Sequence, residues 1–249
     1  MMRAVAAVAF ALMMTVVVTS RVDAGETPAC LSTVPRPVTV VPELPAPPEL
    51  DGLVETRIHW TRWSSQVVYG QAATLAGQVV TDDGAVSESQ VELYSRHDDG
   101  EPWKHVGSAS SDPDTGVFSF ECLPAPETTS FKVVYEGTLV YSSSQAGRTV
   151  PVARRVKDAT APRAAGGYWF SGSVEPRYAG RPVHLQRKTC GGCAWKVVDR
   201  RDTTSESRWR FVLTAPGSTT ATWYYRASVP GDDRFATGYS DHTWRITSG

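Results

Sequence analysis

Several residue types are scarce or missing in this 249-residue chain. It has no asparagine, only two isoleucines, and five lysines against twenty arginines. A GC-rich coding sequence favours arginine over lysine whatever the protein binds. The number of arginines is therefore no evidence for phosphate recognition.

The sequence also lacks an apolar run long enough to span a membrane. Its longest run, residues 4–18, is shorter than the roughly 20 residues that a spanning helix needs. The run follows Arg3 and precedes a small-x-small sequence that ends at Ala24, an arrangement typical of a secretory signal peptide. We predict a leader over residues 1–24, a mature chain without a membrane span, and a secreted protein that is extracellular or associated with the cell surface.

Strong catalytic and nucleotide-binding motifs are missing as well, because the chain has no HExxH, GxSxG, Walker A or GxGxxG sequence. The stretch GYSDH places Ser240, Asp241 and His242 side by side. Adjacent residues of a strand point to opposite faces, so these three cannot form a catalytic relay. We expect no enzymatic activity and no cofactor.

No metal site is expected either. The stretch SDPDTG contains Asp112 and Asp114, but it lacks the third acidic position and the later bidentate glutamate of a calcium loop. Aspartates in such a turn bond their own backbone two residues on. We interpret SDPDTG as a tight turn.

Short period-2 stretches rich in Val, Thr, Tyr, Phe and Trp make up most of the chain after a proline-rich segment. Proline lacks a backbone donor and fixes φ, so residues 25–51 are predicted to be an extended arm. The later stretches are broken about every ten residues by Gly, Asp or Pro clusters, which is typical of β-sandwiches. The predicted fold class is all-β.

An internal repeat divides this β region in two. Residues of VELYSRHDDGEPWKHV recur in VHLQRKTCGGCAWKVV at an offset of 92. The matches are Val91/Val183, Leu93/Leu185, Gly100/Gly192, Trp103/Trp195 and Val106/Val198. We predict an acidic domain over residues 52–153 and a basic domain over residues 157–249, each of a normal size for one sandwich.

The succession of LAGQVV, VELYSR, a hairpin with Trp, SDPDTGVFSF and FKVVYEG resembles the bacterial Ig-like and prealbumin-like repeat modules of secreted and surface proteins. The resemblance covers both repeats and implies two tandem Ig-like β-sandwich domains. It also implies a spacer, a stalk or a binding unit, and it brings no catalytic residues. The second repeat departs from the pattern because RVKDATAPRAAGG is a poor β former, which leaves open whether its first strand is its own, is missing or is supplied by the end of the first domain.

Aromatic residues recur at matching positions of the two repeats, which favours a core role over ligand binding. The matched pairs are Trp103/Trp195, Phe118/Trp209, Phe120/Phe211 and Phe131/Trp223.

The motif CGGC, with Cys190 and Cys193, falls in a predicted hairpin of the second repeat. A thioredoxin-like site needs a helix N-terminus, and a zinc ribbon needs a second matched pair of cysteines. Export favours oxidation. We predict a disulfide across the hairpin, with a redox-active disulfide and a metal or free-thiol site as the alternatives. The remaining pair, Cys30 with Cys122, would tie the arm to the first domain.

Charge distinguishes the repeats. Residues 52–153 contain 6 Lys and Arg against 13 Asp and Glu, whereas residues 157–249 contain 14 against 8. Strand alternation in SRWRFVLT and TWYYRASV turns one set of residues outward and predicts one basic surface in the second domain. The candidate binding residues are Arg208, Arg210, Tyr224 and Arg226, and the matching positions of the first domain are Val117, Ser119, Lys132 and Val134.

Guanidinium and aromatic groups together suit anionic partners. The leading hypothesis is an exported, non-catalytic module whose second domain binds an anionic envelope polymer, a glycan or a protein, with no nucleic acid expected. A structural spacer or assembly unit is the alternative, and a thiol-disulfide oxidoreductase that uses Cys190 and Cys193 is a third. A carbohydrate-binding module would need a row of exposed rings, for which the candidates are Tyr168, Trp169, Tyr178 and Tyr224. The ligand and the oligomeric state are left open.

Overall fold

The computed structural model describes residues 16–20, 52–217 and 221–247. The regular elements in these ranges are all β-strands, so the predicted all-β fold class is confirmed. No helix among the described residues is long and apolar enough to cross a membrane. The proline-rich arm predicted over residues 25–51 lies outside the described ranges.

The chain divides into two compact units. The first unit consists of the described residues of Ala24–Ala153 together with Asp232–Ala236. The second unit consists of those of Met1–Asp23, Arg154–Gly231 and Thr237–Gly249. Asp232–Ala236, which the repeat places in the second domain, therefore groups with the first unit.

The first unit is a sandwich of two antiparallel sheets, with a separate parallel pair formed by β3 and β11. Its strands are β2 (Arg57–Trp63), β3 (Val67–Val68), β4 (Ala72–Thr81), β5 (Gly84–Ala85), β6 (Gln90–Arg96), β7 (Lys104–Ser110), β8 (Val117–Pro124), β9 (Thr129–Tyr135), β10 (Ser144–Val150) and β11 (Val152–Ala153). One sheet has β4 between β2 and β8, and the other has the order β10-β9-β6-β7. Leu75, Phe118, Leu93 and Phe131, two from each sheet, are buried in one apolar core between them.

The second unit repeats this arrangement. Its strands are β12 (Arg155–Pro162), β13 (Tyr168–Glu175), β14 (Pro182–Lys188), β15 (Lys196–Asp202), β16 (Arg208–Leu213), β17 (Thr222–Val229), β18 (Gly238–Tyr239) and β19 (His242–Thr247). One sheet has the order β12-β13-β16 and the other β15-β14-β17-β19. Phe170 and Phe211 from the first sheet meet Leu185 and Tyr225 from the second in the core.

Both units are therefore Ig-like β-sandwiches. In each unit the first, second and fifth main strands form one sheet, while the third, fourth, sixth and seventh form the other. Buried residues alternate with more exposed ones in strands such as β9 and β16, as expected for sheets that cover a core on one side only.

The second repeat has its own first strand, a point that its sequence leaves open. Strand β12 forms from RVKDATAP and pairs with β13 over eight residues, from Arg155 opposite Glu175 to Pro162 opposite Tyr168. β propensity is context-dependent, so a weak β former can still become a strand. Here the pairing with β13 and the burial of Val156 outweigh the weak propensity of the sequence.

The observed register of the sixth main strand changes which residues correspond between the repeats. Tyr94 of β6 pairs with Lys132 of β9, and Gln186, its counterpart in β14, pairs with Arg226 of β17. Lys132 therefore corresponds to Arg226 rather than to Tyr224. By the same register Phe131 corresponds to Tyr225, not to Trp223.

A further strand, β1 (Val16–Ser20), lies within the predicted leader. It pairs antiparallel with β19, with Val16 opposite Ile246 and Ser20 opposite His242. Its valines favour extended structure. The rest of residues 1–24 lies outside the described ranges, and the signal peptide stays a prediction.

The stretch SDPDTG forms the tight turn that its sequence indicates. The Asp112 carboxylate accepts hydrogen bonds from the backbone N–H groups of Asp114 (3.1 Å) and Thr115 (2.8 Å) and from the Thr115 hydroxyl (2.8 Å). These bonds, chiefly the one from the Thr115 N–H, hold the pKa of Asp112 below its ordinary value of 3.8.

Asp112→Ala should therefore lower the stability of the first unit in a pH-dependent way. A lowered folded-state pKa stabilises the fold above pH 3.8, and that stabilisation is lost as the pH falls through the lowered value. Urea midpoints of the variant and the parent should differ at pH 7 and converge near pH 2. Asp114→Ala is the control, because no hydrogen bond of the Asp114 carboxylate is found within the described residues. Equal differences at both pH values would contradict the assignment.

Candidate functional site

The four predicted binding residues are all directed away from the core, but they do not form one surface. Arg208 and Arg210 lie on β16, in the β12-β13-β16 sheet. Tyr224 and Arg226 lie on β17, in the opposite sheet. Because the two sheets enclose the core between them, their outer surfaces face in opposite directions. The single basic surface expected from the sequence is therefore two surfaces.

A shallow depression of about 650 Å³ lies against the outer surface of the β12-β13-β16 sheet and extends to the end of β15, where Arg201 and Asp202 also line it. We call it the basic groove and define it by Lys157, Ser171, Ser173, Arg208 and Arg210. The strand register places Ser173 between Lys157 and Arg208, and Ser171 beside Arg210. Small residues on the central strand thus form the floor, and basic side chains rise on both sides.

The two arginines of the basic groove are available to a ligand. Neither Arg208 nor Arg210 forms an ion pair with a described carboxylate, whereas Lys157 pairs with Glu175 at 2.6 Å. Being two residues apart on one strand, Arg208 and Arg210 are separated by about 7 Å along it. Guanidinium groups at this spacing match the repeated charges of an extended anionic chain.

An aromatic ring lies beside Arg210, next to the basic groove. Trp169 lies on β13 opposite Val212, one pleat beyond Ser171. The guanidinium of Arg210 lies 5.1 Å from its ring centroid, and that of Arg163 lies 4.6 Å from it. These cation–π contacts hold Arg210 in place beside the groove floor.

The opposite sheet has a different surface, in which rings and cations alternate. We call it the cation–aromatic face and define it by Lys188, Trp195, Tyr224, Arg226 and Tyr239. The Arg226 guanidinium lies 4.3 Å from the Trp195 ring centroid and 3.9 Å from that of Tyr239. The Lys188 ammonium lies 5.0 Å from the Trp195 centroid and 5.3 Å from the Tyr224 centroid.

Two neighbours set the charge of the cation–aromatic face. Arg245 lies beside Tyr224 in the register of β19 and adds a third cation. Burial, and then the charge of Arg200, lowers the pKa of His184 below its ordinary value of 6.5. His184 is therefore neutral at pH 7, and the positive charge comes from Lys188, Arg226 and Arg245.

The interpretation of Trp103 and Trp195 as core residues is wrong. Both are only partly buried, and each contacts two cations on the outer surface of its sheet. Arg96 and Lys132 lie 4.5 and 4.9 Å from the Trp103 ring centroid. Lys188 and Arg226 occupy the corresponding places around Trp195, at 5.0 and 4.3 Å from its centroid. The repeat therefore preserves a cation–tryptophan–cation cluster that sequence reasoning missed.

The other repeated aromatic residues are buried as expected. Phe118, Phe120, Phe131, Trp209 and Phe211 all belong to the two cores. Trp223 is partly buried against the second core, with Arg187 4.0 Å from its ring centroid.

The hairpin that carries Trp195 is closed by a disulfide. Cys190 and Cys193 are bonded, with 5.1 Å between their Cα atoms, which confirms the predicted bridge. The Lys188 ammonium donates a hydrogen bond to the Gly191 carbonyl at 2.6 Å, across the same turn. The disulfide and this bond fix the loop between Lys188 and Trp195.

Cys122 of the first unit is also disulfide-bonded. Its proposed partner, Cys30, lies outside the described residues. The pairing of Cys30 with Cys122 stays a prediction.

The remaining chemical motifs have structural partners. The Ser240 hydroxyl donates to the His242 carbonyl at 3.0 Å, while the His242 ring contacts Asp158 at 3.3 Å. The three side chains of GYSDH therefore do not form a relay. Among the described residues no group of three or more His, Cys, Asp or Glu side chains is placed to hold a metal ion.

The candidates for a carbohydrate-stacking row are divided as well. Tyr178 is buried in the second core, and Tyr168 packs against it. Trp169 borders the basic groove, whereas Tyr224 belongs to the cation–aromatic face. Tyr224, Trp195 and Tyr239 are instead linked to one another through Lys188 and Arg226.

No family model matches the sequence, and no curated protein matches it. Among solved structures, one similar chain is a tetra-tandem repeat in the extending region of a large adhesion protein, with 10% identity and a TM-score of 0.31 over 75% of this chain and 48% of that one. Another contains the chicken CNTN1 FN1–FN3 domains, with 11% identity and a TM-score of 0.28 over 79% of this chain and 67% of that one. The chain thus spans about half the length of the first of these structures.

Proposed function

We propose that this protein is an exported, non-catalytic binding module that holds an anionic cell-envelope polymer in the basic groove of its second unit. The observation that carries the proposal is the pair of unpaired arginines, Arg208 and Arg210, on the wall of a depression with a floor of small residues. An extracellular location rests on the predicted leader and on the disulfides.

The shape of the basic groove favours an extended ligand. Its floor runs along β13, where Ser171, Gly172 and Ser173 leave room for a polymer backbone. The serine hydroxyls offer hydrogen bonds to ester or sugar oxygens. Carboxylate or phosphate groups that repeat along the polymer would pair with Arg208 and Arg210 in turn.

The net charge of the second domain supports the same partner. Residues 157–249 have six more basic than acidic residues, and this excess attracts polyanions over a distance set by the ionic strength. Binding should therefore weaken as salt increases.

The test is the affinity of the purified exported chain for poly(glycerol phosphate), for polyglucuronate and for neutral dextran. The double variant Arg208→Gln with Arg210→Gln should bind the preferred polyanion about tenfold more weakly, because two charge-assisted contacts are lost. The salt dependence should decrease with it. The two polyanions separate a phosphate from a carboxylate ligand, and dextran should not bind.

The matched control is Arg57→Gln with Lys104→Gln in the first unit. These side chains are exposed and paired with Asp82 and Glu101, so the control makes the same change in net charge away from the basic groove. An equal loss in both double variants, or no binding of either polyanion, would refute the proposal and favour a structural spacer.

A further inference from the structure

We infer that the second unit binds two anionic polymer chains at once, one on each outer surface, and so cross-links them. The inference rests on the proposed function of the basic groove. It adds the cation–aromatic face as a second site for the same class of ligand, and it assigns the protein a bridging role.

The geometry of one sandwich carries the first step. Arg208 and Arg210 leave the outer side of β16, whereas Arg226 leaves the outer side of β17. Trp209, between the two arginines of β16, and Tyr225, next to Arg226 on β17, are both buried in the shared core. Sheets of a sandwich pack about 10 Å apart, so ligands on the two outer surfaces are separated by the whole thickness of the unit and do not compete.

The second step is the chemistry of the cation–aromatic face. Lys188, Arg226 and Arg245 project from three adjacent strands. Tyr224 stands between Lys188 and Arg245 in one row of the register. Cations in a row across a sheet, separated by rings, suit a flexible polyanion whose repeating groups stack or pass over the aromatic surfaces.

The third step is the rigidity of this face. The Arg226 Nε donates to the Gln186 Oε1 at 2.7 Å, which fixes the guanidinium between two rings. The Cys190–Cys193 disulfide holds the hairpin that carries Trp195. The cations are therefore positioned before a ligand arrives, and less conformational entropy is lost on binding.

The first unit does not have an equivalent of the whole cation–aromatic face. Its equivalent cluster has Trp103, Arg96 and Lys132, but Arg96 is paired with Asp99 at 2.6 Å. In the first unit the cation that corresponds to Lys188 is therefore already paired with a carboxylate, and we assign the second polymer site to the second unit only.

Bridging is measured with two populations of beads, coated with the polyanion that binds best and labelled in different colours. At intermediate concentration the exported chain should form aggregates that contain beads of both colours. When the protein is in excess, the polymer on every bead is saturated by separate protein molecules, and the mixed aggregates should disappear. The variant Arg208→Gln with Arg210→Gln should bind single beads more weakly than the parent, through the cation–aromatic face alone, and the variant Lys188→Gln with Arg226→Gln should bind them through the basic groove alone. Each should lose at least nine tenths of the two-colour aggregates.

The outcomes separate this inference from the proposed function. If no variant and no parent chain binds single beads, the proposed function fails. If the parent binds single beads but forms no two-colour aggregates, only the cross-linking inference fails. The same holds if the Lys188→Gln with Arg226→Gln variant forms as many two-colour aggregates as the parent. The control double variant Arg57→Gln with Lys104→Gln should bridge normally, and sedimentation velocity should show a monomer, so that a dimer does not account for the bridging.

Discussion

Replacing Gly172 with alanine should destabilise the second unit by about 3 kcal/mol. Gly172 lies on β13, the central strand of its sheet, opposite Trp209 of β16. A Cβ atom there would overlap the carbonyl oxygen of Lys157 and lie 2.6 Å from Cζ2 of Trp209. Both contacts are far inside van der Waals distance, so the backbone of β12 must move.

The reason lies in how this sandwich packs. Trp209 is buried in the core, and both its ring and the Lys157 carbonyl of the neighbouring strand β12 lie where a Cβ atom on Gly172 would be. A change of side-chain rotamer relieves a clash with the Trp209 ring but not a clash with the Lys157 carbonyl. The expected loss is therefore larger than for an ordinary glycine substitution in a strand.

The same substitution can be tested independently in the first unit. Gly77 occupies the matching place, and a Cβ there would lie 2.7 Å from the carbonyl oxygen of His59 and 2.8 Å from Cζ of Phe118. Gly107 of β7 has nothing within 4 Å of such a Cβ and is the control. In urea unfolding, Gly172→Ala and Gly77→Ala should lose stability while Gly107→Ala should not. A cost below about 1 kcal/mol for Gly172→Ala would contradict the packing described here.

The sequence predicts which residues face outward but not which sheet they belong to. The alternation in SRWRFVLT and TWYYRASV separates Arg208 and Arg226 from the core correctly, because side-chain direction along a strand is local and has a period of two. The assignment of β16 and β17 to opposite sheets depends on which distant strands they pair with, namely β13 and β14. Local alternation carries no information about that pairing, so one surface was expected where there are two.

The tryptophans illustrate a second limit of sequence reasoning. The recurrence of Trp103 as Trp195 indicates a shared role, and a shared role was equated with burial. The actual partners, Lys132 and Arg226, lie on a strand whose offset between the repeats differs by two residues from that of the tryptophans. A constant offset of 92 hides this match, whereas the strand register reveals it.

Asp158 is a carboxylate that joins the two sheets of the second unit. Its side chain is 0% exposed. It accepts hydrogen bonds from the backbone N–H of His242 (3.2 Å) and from the Trp244 Nε1 (2.5 Å), and it contacts the His242 Nδ1 at 3.3 Å. Asp158 lies on β12 and these partners lie on β19, so the contacts cross the core rather than follow a sheet.

Asp158→Ala should cost about 3 kcal/mol, because the Trp244 indole and the His242 backbone lose a charged acceptor inside the sandwich. Lys157→Ala on the same strand is the control, since its pair with Glu175 is exposed and should contribute less than about 1 kcal/mol. A double-mutant cycle in urea with Trp244→Phe isolates the indole contact. Purely additive losses would show that Trp244 gains nothing from the carboxylate. A coupling of about 1 kcal/mol or more would establish Asp158 as the polar link that holds the surface with the basic groove to the opposite sheet.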